Sequence, residues 1–307
     1  MIALPSPSSA NIRVHPLAAL TRERRANFPA LDRFCLEVDR YTDGSAADFW
    51  KCDAALVELA MGSFLSDFAC NELAHCRSNV GHTPLAASGA FIPIARGDFY
   101  ALSIVIVSAR DSRSDRIRSG ACHSLSLVAA GADLPVMHYR QPEPEPNDVL
   151  RRDARLLPLG EILYRRGDVF RTRAVEDINE LRPLPSKRSV VLTLSSKLIA
   201  GYAWNYDSGS LLPVGITSDL SWCRTNYALR VIGEIGDVDC LSAVTALTEH
   251  PNHFVRWSAI KCAVRLDFDR GLALLEKGAN DAHPHVRSAA AATLRRFNDC
   301  KPVTGGK

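Results

Sequence analysis

The chain has 307 residues, which is enough for two or three domains that each bury a core of their own. Its residues are 47% hydrophobic and 23% charged, which is typical of a globular protein and excludes a fibre or a disordered chain. The formal net charge is only +3, so the chain as a whole has no strong field that would attract nucleic acid.

Nine cysteines are spread along the chain, without a CxxC pair and without a Cys/His spacing that is typical of zinc sites. No apolar run approaches the ~18 residues of a membrane span. The amino terminus has no basic region leading into a sustained apolar stretch, as a signal peptide would. We therefore expect free thiols and a cytoplasmic protein.

The amino-terminal part of the chain is predicted to be an arm followed by helices. Residues 1–26 are rich in Pro, Ser and Arg, which predicts a flexible arm. Within residues 27–98, apolar side chains recur at spacings of three and four between Leu56 and Phe68, which predicts helix. We expect this segment to form a helical layer.

Residues 99–217 are predicted to form a β-domain, because the hydrophobic period shifts towards 2 and β-branched and aromatic residues come in short runs. Many short strands without helices between them favour a closed barrel or a sandwich over a βαβ fold. The proline-rich residues 141–146 are expected to be a stiff loop. The predicted strands are residues 100–108, 124–129, 136–139, 162–164, 168–172, 189–194 and 202–206.

Internal repetition is the clearest pattern in the chain, and it falls within residues 218–299. Arg224, Arg256 and Arg287 are 32 and 31 residues apart, and each follows an apolar residue. Three, four and seven residues after each arginine, apolar residues recur, so that one apolar helix face is present in three copies. Shorter helices are predicted between the copies.

The repeat resembles the HEAT family of helical hairpins. Residues 286–290, Val-Arg-Ser-Ala-Ala, fit the Val-Arg-x-x-Ala core of that family. The resemblance implies a short stack of hairpins that offers a groove to a partner protein. The repeated arginines are expected to bond neighbouring repeats and not the partner.

Residues 118–206 resemble a cupin, most nearly the branch that contains cysteine dioxygenase-like enzymes. The features that carry the resemblance are a strand that ends at Gly131, the Val136–Arg140 strand, the turn at residues 167–168 and the Ser189–Leu194 strand. The chain is thus predicted to be an α+β multidomain protein, with amino-terminal helices, a cupin-like β-barrel and a carboxyl-terminal stack of HEAT-like hairpins.

Cupin enzymes usually hold iron or another divalent metal through a His-x-His pair on an early strand and a third His on a later strand. The resemblance places the pair near residues 118–120 and the third ligand near residues 176–178, where no histidine is present. The usual ligand set is therefore missing. The alternative is a rebuilt iron site, with His123, His138 and Asp177 as two imidazoles and a carboxylate.

Two functions are consistent with this interpretation. The first is a non-catalytic or small-ligand-binding protein that needs no cofactor and binds another protein through its HEAT-like repeats. The alternative is a divergent non-haem iron dioxygenase that acts on an amino acid or a peptide-like substrate. The candidate ligand-binding residues are Arg118, Arg140 or Arg173, as the group that holds a carboxylate, and Trp204 and Tyr206, which either line the pocket or pack in the barrel wall.

The arginine clusters and a His-x-His pair are two further patterns that the sequence explains without a binding site. Arginines cluster within residues 22–25 and 110–118, but acidic residues are interleaved and the total charge is small, so a nucleic-acid partner is not expected. His283 and His285 have the spacing of a His-x-His pair. They lie at the start of a predicted hairpin, where the geometry of the repeat explains them.

Overall fold

The computed structural model describes residues 16–42, 48–78, 91–108, 115–142, 149, 151–218 and 220–299. Their contacts separate into two compact units, one within Met1–Glu145 and Arg152–Gly215 and the other within Pro146–Arg151 and Ile216–Lys307. The architecture is α+β, with amino-terminal helices, a sheet-rich middle region and HEAT-like helices at the end. None of the described helices combines the length and apolar character needed to cross a membrane.

The amino-terminal helices pack into the first unit. They are α1 (Pro16–Asn27), α2 (Pro29–Tyr41), α3 (Asp53–Met61) and α4 (Phe64–Ser78), with a 3-10 turn at Asp48–Cys52 before α3. Proline is well suited to the first position of α2, where the amide hydrogen that it lacks would have no partner inside the helix. The next turns bury Leu31, Phe34, Cys35 and Val38 along one face.

The flexible arm predicted for residues 1–26 is wrong for its described part, because α1 is held by a buried arginine. Arg24 is 5% exposed. Its guanidinium donates to the carbonyl oxygens of Pro93 and Ile94, at 2.6 and 2.9 Å, and to the carboxylate of Glu72 at 3.1 Å. These three hydrogen bonds fix the helix that carries Arg24.

The strands follow the helices. They are β1 (Phe91–Arg96), β2 (Tyr100–Ser108), β3 (Arg116–Arg118), β4 (Cys122–Gly131), β5 (Leu134–Arg140), β6 (Leu157–Tyr164), β7 (Val169–Thr172), β8 (Asp177–Leu181), β9 (Arg188–Leu198), β10 (Tyr202–Asp207) and β11 (Pro213–Ser218). All seven predicted strands are present. The sequence did not predict β1, β3, β8 and β11, which are at most six residues long and contain prolines or charged residues.

The boundary that was placed at residue 98 falls between β1 and β2, which pair as an antiparallel hairpin. The predicted helical layer of residues 27–98 therefore ends in a strand of the sheet. Residues 79–90 and 143–148, which include most of the predicted proline-rich loop, lie outside the described part of the chain.

The order of the strands is that of a jelly roll. Hydrogen bonds join them in the orders β1-β2-β9-β4-β7, β6-β5-β8 and β11-β10-β3. Because β3 also contacts β8, a layer β2-β9-β4-β7 is matched by a layer β6-β5-β8-β3. This double-sheet arrangement is the fold on which cupins are built. The described strands are not closed into a ring by hydrogen bonds, so the predicted barrel is more accurately a sandwich of two sheets.

The five-stranded sheet buries both of its faces. Leu125, Leu127 and Leu192 on one face pack in a core with side chains of α2, α3 and α4. On the other face Phe170 and Val191 pack with residues of β5. Because neighbouring residues of a strand point to opposite faces, each position of β4 is committed either to the helices or to the interior of the jelly roll.

The second unit consists of five α-helices in the described residues. They are α5 (Leu220–Ile235), α6 (Leu241–Ala246), α7 (His253–Leu266), α8 (Phe268–Gly278) and α9 (Pro284–Asp299), with 3-10 turns at Val238–Cys240 and Leu247–Glu249 on either side of α6. Helix α7 lies at the centre of this unit and contacts the other four helices. The alternation of long and short helices is the predicted one.

The predicted apolar face is buried in two of its three copies. Ala259 in α7 and Ala290 in α9 are fully buried. In α5, however, Tyr227 and Val231 are exposed and Leu229 is buried in their place. The predicted phase of the first copy is therefore wrong. A terminal repeat has a neighbouring repeat on one side only, so its other face is not constrained by the stack.

Of the repeated arginines, Arg256 bonds a neighbouring repeat, as predicted, whereas Arg287 bonds the segment just before its own helix. Arg256 donates two hydrogen bonds to the carboxylate of Asp281, at 2.6 and 2.8 Å, and two more to the carbonyl oxygens of His250 and Pro251, both at 3.0 Å. Arg287 donates to the carbonyl oxygen of Asp281 at 2.7 Å. These two guanidiniums therefore fix the segments that precede α7 and α9.

The substitution Val286→Asp tests the packing of the stack. Val286 is 1% exposed and contacts Ile260, Leu275 and Ala290. The described side chains in this cluster are apolar, so a carboxylate at this position is buried without a cationic partner among them, and we expect the free energy of unfolding in urea to fall by about 3–5 kcal/mol. Val238→Asp is the matched control, because Val238 is 52% exposed in the same unit. Equal effects of the two substitutions would contradict the described packing.

Candidate functional site

A cavity of about 250 Å³ lies between the two sheets of the jelly roll. Strands β2, β4, β7 and β9 form one wall, and β3 and β8 form the other. Its polar lining consists of Arg118, Ser119, Ser124, Ser126, Thr172, Asp177, Asn179 and Thr193. Its other lining residues are Val105, Gly120, Phe170, Ile178, Leu181 and Val191.

Hydroxyl groups form one wall of this cavity. Ser124 and Ser126 alternate along β4 with Leu125 and Leu127, so the strand directs its serines into the cavity and its leucines against the helices. The Oγ atom of Ser126 lies 3.1 Å from Oγ1 of Thr193 on the neighbouring strand β9. The wall can therefore donate and accept hydrogen bonds.

The opposite end of the cavity is ordered by further hydrogen bonds. Nδ2 of Asn179 donates to Oγ1 of Thr172 at 2.7 Å. Oγ of Ser119 accepts from the backbone N–H of Trp204 at 2.8 Å, and the N–H of Ser119 donates to the carbonyl oxygen of Trp204 at 2.9 Å. These bonds orient the polar groups of the wall without a ligand.

The three predicted carboxylate-binding arginines have different surroundings. Arg118 lines the cavity. Arg173 donates to both carboxylate oxygens of Asp177, at 2.8 and 3.0 Å, and Nε of Arg140 lies 3.4 Å from the same carboxylate. Arg173 also pairs with Glu176 at 2.7 Å. Arg140 and Arg173 therefore hold a carboxylate of the protein itself.

These contacts also set the ionisation of Asp177. Burial, the largest single contribution, raises the pKa of this carboxyl group, but the hydrogen bonds from Arg173 and the charges of Arg173 and Arg140 together outweigh it. The pKa of Asp177 is consequently below its usual value of 3.8. The side chain is thus an anion that is already shared by two guanidiniums.

His123, a predicted metal ligand, lies on the helix side of β4 and not in the cavity. Its ring is 5.1 Å from that of Trp50 and 6.3 Å from that of Phe49, and Nδ1 accepts the N–H of Ala174 at 2.9 Å. Burial lowers its pKa, which favours the neutral imidazole that this hydrogen bond requires. The surroundings of His123 are those of a structural histidine.

His138, the second predicted metal ligand, contacts Tyr164. Its Nε2 atom lies 3.1 Å from the hydroxyl oxygen of Tyr164, and the two rings are 5.7 Å apart. Within the described ranges, the group of His, Cys, Asp or Glu side chains whose ligand atoms come close enough to share an ion does not include His123, His138 or Asp177. The structure therefore does not bring these three side chains together.

The residues at the metal positions of a cupin do not fit a divalent ion. Arg118 and Gly120 line the cavity where the resemblance places the His-x-His pair, and Ile178 lines it near the position of the later ligand. A guanidinium is always protonated, glycine has no side chain, and isoleucine has no donor atom. Asp177 is the remaining strong donor, and it is bound by two arginines.

Trp204 and Tyr206, which were expected either to line the pocket or to pack in the barrel wall, are both buried. Their rings are 6.4 Å apart, and the Tyr206 hydroxyl accepts a hydrogen bond from Nε2 of Gln141 at 2.6 Å. Burial, partly offset by this bond, raises the pKa of Tyr206 to about 12. Both side chains pack in the core and hold β10 in place.

Sequence reasoning missed a cluster of three histidines in the second unit. The ring nitrogens of His253, His283 and His285 can all lie within 4.8 Å of one another. The pair at 283 and 285 was noted, but His253 precedes it by thirty residues. The repeat held the necessary signal, because the offset of 31 residues between Arg256 and Arg287 aligns His253 with Pro284, between the two other histidines.

The carboxyl-terminal segment and the jelly roll were compared with known proteins. Residues 224–300 match the family model of HEAT repeats. No curated protein is detectably similar to the chain in sequence. The strand order of the first unit and the repeat match of the second together define a cupin-like domain joined to HEAT-like repeats.

Solved structures of low similarity align with parts of the chain. Hydroquinone 1,2-dioxygenase PnpCD, in complex with Cd²⁺ and 4-hydroxybenzonitrile, covers 37% of this chain and 67% of its own at 13% identity, with a TM-score of 0.27. The alignment with hydroquinone 1,2-dioxygenase from Sphingomonas sp. TTNP3 covers 38% of this chain and 70% of the dioxygenase chain, at 12% identity and a TM-score of 0.28. The alignment with a cupin-superfamily sugar phosphate isomerase from Silicibacter pomeroyi covers 46% of this chain and 84% of the isomerase chain, at 13% identity and a TM-score of 0.27. Similarities at this level carry no inference about activity or substrate.

The pH dependence of stability tests the role of Asp177. The pKa of Asp177 is lower in the folded state than in the unfolded state. Its ionised carboxylate therefore stabilises the fold fully above the unfolded-state pKa, and this stabilisation is lost as the pH falls through the folded-state pKa. We expect Asp177→Asn to reduce the free energy of unfolding by about 1–2 kcal/mol at pH 7, and this deficit to shrink below about pH 3.8.

Urea unfolding at a series of pH values measures this difference. Glu161→Gln is the control, because Glu161 is half exposed and pairs with Arg182 at 3.5 Å, an arrangement worth at most about 1 kcal/mol. A deficit of Asp177→Asn that stays constant from pH 7 to pH 3 would show that the charge of Asp177 does not stabilise the fold.

Proposed function

We propose that the cupin-like domain is a non-catalytic domain that binds a small polar anion in the cavity between its two sheets. The observation that carries the proposal is the composition of the cavity wall, in which a guanidinium, that of Arg118, is combined with five hydroxyl-bearing side chains and one amide. Groups of this kind recognise a carboxylate or a phosphate by charge-assisted hydrogen bonds.

The size of the cavity limits the ligand. Its volume of about 250 Å³ is slightly below the ~300–1,000 Å³ of sites for drug-sized ligands. The apolar part of the lining, which includes Phe170 and Val191, suits a ligand with a short hydrocarbon portion. We therefore infer a small organic acid or a small phosphorylated compound as the ligand.

The charges around the cavity support an anion over a cation. Asp177, which also lines the cavity, is bound by Arg173 and Arg140 and is thereby neutralised locally. Arg118 adds a positive charge to the same space. A cationic ligand would have to compete with two guanidiniums for Asp177, whereas an anion has a favourable interaction with Arg118.

The HEAT-like unit is proposed to bind a partner protein. Two observations support this part of the proposal. A groove of about 510 Å³ is lined by residues of both signs of charge, among them Arg256, Lys277 and Glu249. Along α5, apolar side chains are exposed at a spacing of four residues, with Tyr227 at 69% and Ile235 at 82%.

Ligand binding by the intact chain tests the cavity. A panel of small carboxylates and phosphates is assayed by calorimetry, and we expect some of these compounds to bind. Their affinity should fall by more than about tenfold in Arg118→Gln, because the substitution removes a charge-assisted bidentate contact. Thr193→Val removes one hydroxyl from the wall at nearly constant volume, and we expect a smaller loss of affinity from it.

Arg171→Gln is the matched control for this assay. Arg171 lies on β7 between the cavity-lining residues Phe170 and Thr172, so its side chain faces away from the cavity, where it pairs with Asp53. We expect the Arg171→Gln protein to bind the same compounds with unchanged affinity. Equal losses in Arg118→Gln and Arg171→Gln, or a panel without a single binding compound, would contradict the proposal.

The alternative function, a non-haem iron dioxygenase of cupin type that acts on an amino acid or a peptide-like substrate, has its own test. It requires stoichiometric iron in chain purified without chelator, and loss of that iron in His123→Ala and His138→Ala. We expect no iron that depends on these two residues, because Nδ1 of His123 accepts a backbone N–H and Nε2 of His138 bonds Tyr164. Elemental analysis of the three proteins provides the measurement.

A further inference from the structure

We propose that His253, His283 and His285 form a binding site for a late first-row transition-metal ion such as Zn²⁺, and that this ion joins consecutive repeats of the HEAT-like unit. The three side chains belong to the starts of two different long helices, α7 and α9. One nitrogen of each ring can lie within 4.8 Å of a nitrogen of each of the others. Three neutral imidazoles suit Zn²⁺, Cu²⁺ or Ni²⁺ better than Mg²⁺ or Ca²⁺, which prefer oxygen.

The packing of the three rings keeps them together. The rings of His253 and His283 are stacked, with their centroids 3.6 Å apart and their planes 5° from parallel. The ring of His285 lies 5.0 Å from that of His283 and 5.8 Å from that of His253, in both cases edge to face. His253 is 3% exposed, so the cluster has one buried and two partly exposed members.

Ion binding requires a small movement of these rings. A tetrahedral zinc site with Zn–N bonds of about 2.0–2.1 Å places its nitrogens about 3.3 Å apart, closer than the outer limit of this cluster. An ion must also lie along the lone pair of each nitrogen, so the stacked rings of His253 and His283 have to turn away from the parallel arrangement. Side-chain rotation is sufficient, since the backbones of α7 and α9 already bring the three residues together.

His283 has a second role, with which the ion competes. Its Nδ1 atom accepts the N–H of His285 at 3.2 Å and so caps the start of α9. In α7 the corresponding cap is Asn252, whose side chain accepts the N–H groups of Phe254 and Val255. A neutral imidazole has one lone pair in the ring plane, so an ion on either nitrogen of His283 displaces this capping bond.

The competition allows the two roles to be separated. Asparagine is among the best capping residues and has no imidazole, so His283→Asn preserves the cap while it removes a metal ligand. His285→Gln removes a second ligand at a partly exposed position. His250→Ala is the matched control, because Nδ1 of His250 accepts the N–H of Asn252 at 3.0 Å, in the same manner as His283, and His250 is not in the cluster.

Zinc alone is the probe, titrated against a chromophoric chelator into the full chain, which is purified without a histidine tag. We expect one zinc ion per chain, and an affinity that falls by more than about tenfold in His283→Asn and in His285→Gln but not in His250→Ala, since even residues that only orient metal ligands contribute about 10–100-fold. We also expect zinc to raise the temperature of unfolding of the unaltered chain and of His250→Ala, because an ion that binds the folded state stabilises it.

Three results would overturn the proposal. They are the absence of zinc binding at a tenfold excess of ion, zinc binding that is retained in both His283→Asn and His285→Gln, and bound zinc that leaves the unfolding temperature unchanged. Retained binding would place the ion on other residues, such as the cysteines. Because His123 and His138 are unaltered in these variants, the outcome is independent of the iron test described above.

Discussion

The alternation of side chains along the central strands is the constraint on which the first unit depends. The five-stranded sheet has a face towards the helices and a face towards the second sheet, and both are buried. On β4 this alternation assigns Leu125 and Leu127 to the helices and Ser124 and Ser126 to the cavity. A shift of one residue would exchange the two sets, placing hydroxyl groups in the apolar core and leucines in the cavity. The same alternation directs His123 away from the cavity.

Guanidinium groups connect segments that are far apart in the sequence. Arg24 joins α1 to β1 and to α4, and Arg256 joins the start of α7 to the segment before α9. In both cases the guanidinium donates to two carbonyl oxygens and to a carboxylate, as a planar group with five N–H bonds allows. Arg173 and Arg140 similarly hold Asp177 at the cavity wall. Arginines that resemble surface charges in the sequence are therefore structural at several positions.

Close approach of helices explains how the HEAT-like unit brings distant residues together. At Gly271 in α8, an added Cβ atom would lie 2.3 Å from the Cα atom of Val264 in α7, so that only glycine permits this contact. Helix α7 contacts both α8 and α9, and the start of α7 thereby lies beside the start of α9. This juxtaposition, which has no counterpart in local sequence, places His253 against His283.

Local patterns in the sequence determined the elements and their classes. The period of the apolar residues predicted seven strands and the hairpins, and the arginine repeat predicted the stack, because these patterns depend on which face of a single element is buried. The tertiary structure decided which elements share a cavity and which polar groups meet. The short strands β3 and β8, the burial of Arg24, the exposed face of α5 and the histidine cluster all depend on contacts between residues far apart in sequence. The 31-residue repeat aligns His253 with the other two histidines, but no period in the sequence encodes the other contacts, since each is fixed only when the two segments pack.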